Sequence, residues 1–123
     1  MVNLIHKELS YQITGILFEV QNELGTKFQE KYYQKAVAQL LKKNRIPFTT
    51  ETPVNIKFED VLLGTLKADM IVDNKILLEF KTVDRLNIDH KQQTLRYLDG
   101  LNLKLGLLVN FRVRPLQIWR IIN

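Results

Sequence analysis

Apolar residues recur at helical spacing from the start of the chain, at Leu4/Ile5, Leu9, Ile13, Ile16/Leu17, Val20 and Leu24. Positions three and four apart share one face of a helix, so this pattern predicts an amphipathic helix over 4–23. Asn3 stands where a cap would, and Gly25 ends the run. A second helix is expected over 28–44, with Tyr33, Ala36/Val37 and Leu40/Leu41 on its apolar face. Pro47 and Pro53 bracket an extended connection. Residues 54–58 alternate apolar and polar, as a half-buried strand does. Residues 59–64 read as a turn into a strand over 66–72, and a further strand covers 76–81. A polar connection over 84–90 leads to a third helix over 89–101, with Leu95 and Leu98 inward and Gly100 near its end. Residues 105–111 are nearly all apolar, as in a central strand covered on both faces. Pro115 interrupts, and 117–122 reads as the last strand.

The expected order is therefore α-α-β-β-β-α-β-β. The helix between the third and fourth strands is long enough for a parallel crossover. The fold class is α/β, a mixed sheet with helices packed on its faces. At 123 residues the chain is read as a single domain, 1–123, large enough for a core of its own. Its 46% hydrophobic and 25% charged residues are ordinary for globular proteins. It has no cysteine, which excludes disulfides and thiolate zinc sites. No apolar run reaches the ~18 residues of a membrane span, and the first residues lack a secretory pattern. A cytoplasmic protein is expected. The net charge of +5 favours a polyanionic partner.

Charges inside the paired strands change this picture. Burying an unpaired charge is costly, yet Asp69, Glu79 and Lys81 are set into two otherwise apolar segments. Side chains alternate along a strand, so Glu79 and Lys81 share a face. A three-residue hairpin loop at 73–75 places Val72 opposite Ile76 and Asp69 opposite Glu79. Cross-strand partners have Cβ atoms roughly 5 Å apart, so the three charges converge. A two-residue loop at 73–74 pairs Asp69 with Leu78 and separates the acids. Convergent carboxylates are hard oxygen ligands suited to Mg²⁺ or Mn²⁺, with Lys81 beside the ion. The bland reading is a cluster of surface ion pairs of little energetic value.

The element order and the spacing of Asp69 and Glu79-Phe80-Lys81 resemble the PD-(D/E)XK nuclease-like superfamily, the restriction-endonuclease-like fold. Ala68 stands where the family name has proline. Leu24-Gly25-Thr26-Lys27-Phe28-Gln29-Glu30-Lys31-Tyr32-Tyr33 looks like the signature of the GxxExxY family. Glu30 and Tyr33 match its E and Y, and Lys27 departs from its G. Gln93-Thr94-Leu95-Arg96-Tyr97 resembles the QxxxY element of several such nucleases, and the 105–111 strand is similar to the family's late strand. The resemblance covers nearly the whole chain.

It implies a metal-dependent nuclease acting on DNA, with Asp69, Glu79, Lys81, Glu30 and Gln93 in the active centre. Asp69, Glu79, Glu30 and the backbone carbonyl of Phe80 would hold the metal, and Tyr33 and Tyr97 would support the site. On spacing alone, Glu30 reads as an acid favoured in a helix's first turn; only the resemblance, in which a first-helix glutamate approaches the site, puts the metal-reaching role level with that reading. Gln93 and Tyr97, one turn apart, would touch the site lysine or a phosphate, or else pack on the sheet. Trp119, Phe111, Tyr32 and Tyr33 are read as core, Asn110 as a turn residue, and His6 and His90 as solvated or packing. The basic clusters at 42–45 and 112–114 suit phosphates or ordinary solvated ends. So small a chain would need a homodimer partner, a targeting protein or structure-selective binding. The rival readings are a catalytically silent module of the same fold, which binds nucleic acid or a protein, and a structural protein.

Overall fold

The structure, a computed structural model, describes residues 5–123. Three helices and five strands occur in the expected order: α1 (Lys7–Leu24), α2 (Glu30–Lys43), β1 (Phe48–Phe58), β2 (Val61–Val72), β3 (Ile76–Lys81), α3 (Ile88–Leu101), β4 (Leu105–Asn110) and β5 (Gln117–Ile122). The strands form one sheet in the order β1-β2-β3-β4-β5. Only β3 and β4 run parallel, joined by the α3 crossover. The chain is thus a mixed α/β structure of the expected class.

The two faces of β3 are covered differently. Ile76, Leu78 and Phe80 point into a core built with Ile13, Leu17, Val37 and Leu41 of α1 and α2. Leu77 points into a second core, shared with Leu98 of α3 and with Leu108 and Ile121 of β4 and β5. α3 sits close to the sheet because two glycines allow it. A Cβ on Gly100 would lie 2.4 Å from Cγ1 of Val54, and one on Gly106 would lie 3.0 Å from Cγ2 of Thr94.

Several boundaries differ from the sequence reading. The expected cap Asn3 lies outside the described residues, as does Leu4. Ile5 and His6 form a turn, and α1 starts at Lys7 behind His6 at φ 51°. Gln29, in extended conformation, precedes α2, which leaves Phe28 outside the helix. The connection expected between Pro47 and Pro53 is instead the first half of β1. Proline interrupts a central ladder but is tolerated on an edge strand, and β1 is an edge. The expected turn over 59–64 shrinks to Glu59-Asp60, both left-handed, between the paired residues Phe58 and Val61. Gly64 lies inside β2, opposite Ile56. The far end of this hairpin leaves Phe58, Val61, Leu62 and Leu63 exposed.

Candidate active site

The site begins with a turn. Asp73 and Asn74 both adopt the left-handed conformation, at φ 52°, and the Lys75 N–H donates to the Val72 carbonyl at 3.0 Å. Asp and Asn tolerate this conformation better than other non-glycine residues. Val72 therefore pairs with Ile76, Ile71 with Leu77 and Met70 with Leu78. This is the three-residue register, so the next rung sets Asp69 across from Glu79; the two-residue alternative does not occur.

That rung is not an ordinary one. The Asp69 N–H donates to Oε2 of Glu79 at 2.8 Å, and the Phe80 N–H donates to Oδ2 of Asp69 at 2.9 Å. Each carboxylate thus caps the opposite strand where the backbone ladder ends. The β1–β2 ladder also skips a rung here, between Thr50–Met70 and Thr52–Ala68. Glu51, opposite Asp69, is left-handed at φ 50°. The β2–β3 ladder ends at Asp69, while β1 stays paired with β2 on either side of the skipped rung.

Glu79 is only 2% exposed. Burial raises its pKa to about 8, reinforced by the Asp69 charge and by Glu30, against the Asp69 N–H bond and Lys81. Burial likewise raises Asp69 to about 6; Glu30 and Glu51 add to the shift, while the Phe80 N–H bond and Lys81 oppose it. Two neighbouring carboxylates, one buried and one half-buried, resist carrying two charges at once. Near neutral pH the pair holds on to a proton unless a cation offsets it. Lys81 forms no ion pair with either acid among the described residues; its Nζ donates to Oε1 of Gln93 on α3 at 3.0 Å. A neutral partner positions the ammonium without consuming its charge.

The remaining expected residues fall into distinct places. Glu30 opens α2 and reaches the pair through its field, raising both acids. Among the described residues no group of three or more His, Asp or Glu side chains is close enough to hold a metal ion, so Glu30 does not complete a three-carboxylate set in this arrangement. Tyr97 is buried on α3, and its hydroxyl pKa is raised by burial and then by the Glu79 and Asp69 charges. Tyr33 is buried away from the acids. Its hydroxyl donates to the Gly25 carbonyl at 2.7 Å, and its ring stacks on Phe111 at 4.3 Å. Phe111 in turn stacks on Phe80, which lies between the two charged residues of β3.

Three sequence readings need correction. Tyr32 is not core: it is 45% exposed, because Tyr33 takes the inward position on α2. His90 is neither merely solvated nor packing. It completes the cap of α3, accepting the Asn87 N–H at Nδ1 while the Asn87 side chain accepts the N–H groups of Asp89 and His90. Asn110 is not a turn residue but the fully buried last residue of β4, opposite Lys81. Its amide donates to the Val83 carbonyl at 2.8 Å and accepts the Val83 N–H at 3.1 Å. It also bonds Gln117 and the Arg112 N–H. It thereby ties down the loop that follows Lys81. The available signal was a lone amide in an apolar run, since a buried polar group must find partners. Glu51 carried no such signal, because its place opposite Asp69 depends on a strand read as a connection.

The chemistry of the donor set fits a divalent cation. Two hard carboxylates face each other, short of positive charge, where the β2–β3 ladder ends. Compared with known proteins, residues 7–121 match the family model of the PD-(D/E)XK nuclease superfamily. Searches of curated proteins and of solved structures returned no match.

Proposed function

We propose that this chain, which belongs to the PD-(D/E)XK nuclease superfamily, hydrolyses phosphodiester bonds of DNA with the help of Mg²⁺ or Mn²⁺. The observation that carries the proposal is the Asp69–Glu79 pair, two carboxylates set across from each other where the β2–β3 ladder ends and flanked by a lysine that bonds neither acid. Asp69, Glu79 and the Phe80 backbone carbonyl would hold the metal. Glu30 would act through an intervening water and its field. The bound metal would polarise the phosphate and lower the pKa of the attacking water.

The chain's own groups do the rest. Lys81 offsets the charge that develops on the phosphate oxygens and orients the water. Gln93 keeps the ammonium aimed at that position. Tyr97 closes the α3 side of the site. Tyr33 acts from behind, holding the Gly25 turn and the aromatic stack under Phe80. The match of Glu30 and Tyr33 to the GxxExxY signature supports membership of that family within the superfamily. We read 1–123 as one domain of a cytoplasmic protein that acts with a second copy or a targeting protein.

One observation favours a second reading, a catalytically silent module. Each acid already serves the fold by capping the neighbouring strand. Cleavage assays separate the two. Wild type incubated with DNA in Mg²⁺ or Mn²⁺ should cleave, and EDTA should stop it. Lys81→Ala should lower the rate by at least ~10²-fold, the scale of losing one transition-state charge partner. Equal rates in wild type, Lys81→Ala and EDTA would leave only the silent module.

A further inference from the structure

We propose that Phe28 and Tyr32 form a stacking platform for unpaired nucleobases, directing the site to single-stranded nucleic acid. The inference rests on the nuclease reading for the path of the strand and adds to it the class of substrate.

Phe28 is 46% exposed and Tyr32 45% exposed, although the helix that carries Tyr32 has a buried face filled by Tyr33, Val37 and Leu41. The two rings meet edge to face, with centroids 5.8 Å apart and planes at 62°. They are not loose. Phe28 packs edge-on against Tyr33 at 6.4 Å, and its N–H donates to the Tyr33 hydroxyl at 3.3 Å. Tyr33, Phe111 and Phe80 then stack in succession down to the strand that bears Glu79 and Lys81. A continuous aromatic column thus runs from Phe80, on the face of β3 opposite Glu79 and Lys81, to the surface and fixes the platform relative to that strand. Glu30 lies between the two rings in sequence and is near enough to the acids to raise both their pKa values.

The flanking charge suits a polyanion. Lys27 and Lys31 alternate with the rings and are exposed, and the Lys31 ammonium stands 5.2 Å from the Tyr32 centroid. Exposed rings set in basic surroundings bind single strands, because every unpaired base offers a π-face and the lysines follow its backbone. In a duplex those faces are already covered by neighbouring bases, so the rings gain nothing from it.

The test measures affinity by fluorescence anisotropy in EDTA, which stops turnover, for a single-stranded DNA, the same sequence as RNA, and the DNA duplex. Phe28→Leu keeps apolar bulk against Tyr33, and Tyr32→Leu keeps it against Phe28, but each removes the π-face. Each should weaken single-strand binding roughly tenfold, with a similar loss on RNA and little change on duplex. Tyr32→Trp should retain or tighten it. Tyr11→Ala, which removes a tyrosine 81% exposed on α1, should change nothing. Unchanged single-strand affinity in both leucine variants overturns the platform, as does an equal loss on single strand and duplex. Cleavage measured in Mg²⁺ on the same proteins separates the two ideas. Ring-dependent binding without cleavage removes the nuclease and keeps the platform. Cleavage by wild type and both leucine variants at one rate on single strands removes the platform and keeps the nuclease.

Discussion

Asp69 and Glu79 couple the stability of the protein to pH. Their folded-state pKa values, about 6 and about 8, lie above the ordinary 3.8 and 4.5. Between about pH 4 and about pH 8 the native state therefore binds protons that the unfolded chain has lost. Stability falls as pH rises through that window. Glu79→Gln removes the larger shift and leaves Asp69 with a neutral neighbour. Its unfolding midpoint, measured from pH 4 to pH 8 without divalent metal, should decline less than that of wild type. Parallel declines would mean that the pair is not proton-holding. The residues of this pair were legible in the sequence, because charges inside apolar strands stand out. Their convergence was not, because it hinges on two left-handed residues, Asp73 and Asn74, where a two-residue loop was equally open. The capping of each strand by the opposite acid was also invisible, since it arises only where the ladder ends.

At the scale of elements, the loop after β3 depends on Asn110. Replacing it with leucine leaves the half-buried Val83 N–H and carbonyl without their partners, at up to about 1–3 kcal/mol for each group so orphaned. Denaturant unfolding should show a clearly lower midpoint for Asn110→Leu. The cleavage rate should fall further than stability alone requires, because Lys81 faces Asn110 across the β3–β4 ladder. An unchanged midpoint would mean that the loop is held elsewhere. The helices and the apolar strands were legible because their periodicities are strong. β1 and the first half of β2 were not. Thr49-Thr50-Glu51-Thr52-Pro53 has neither apolar alternation nor a permissible central strand, and only an edge position makes it a strand. Gly64 looked like punctuation and proved to be a paired position opposite Ile56. Tyr32 and Tyr33 are adjacent in sequence, and only the packing of α2 decides which one the core takes.

For the whole molecule, a net charge of +5 should appear as salt-sensitive binding to DNA. Each phosphate neutralised contributes a slope of roughly −0.7 to −0.9 in log affinity against log salt, depending on strand type. Anisotropy titrations over a range of salt concentrations should give a line of negative slope. A flat line would remove nucleic acid as the partner. Among the described residues no helix is long and apolar enough to cross a membrane. Global composition could suggest a polyanion, but it could not say where on the surface the strand lies. That depends on how α2, α3 and the strands are brought together.

The measurement that bears most directly on the central claim is calorimetric titration of Mn²⁺ into wild type and Glu79→Gln at neutral pH, in two buffers of different ionisation enthalpy. Wild type should bind the ion with release of protons to the buffer, because the metal displaces what the acid pair holds. Glu79→Gln should bind much more weakly and release fewer. Equal binding by the two proteins, or none by wild type, would contradict the assignment of Asp69 and Glu79 as the metal-holding pair.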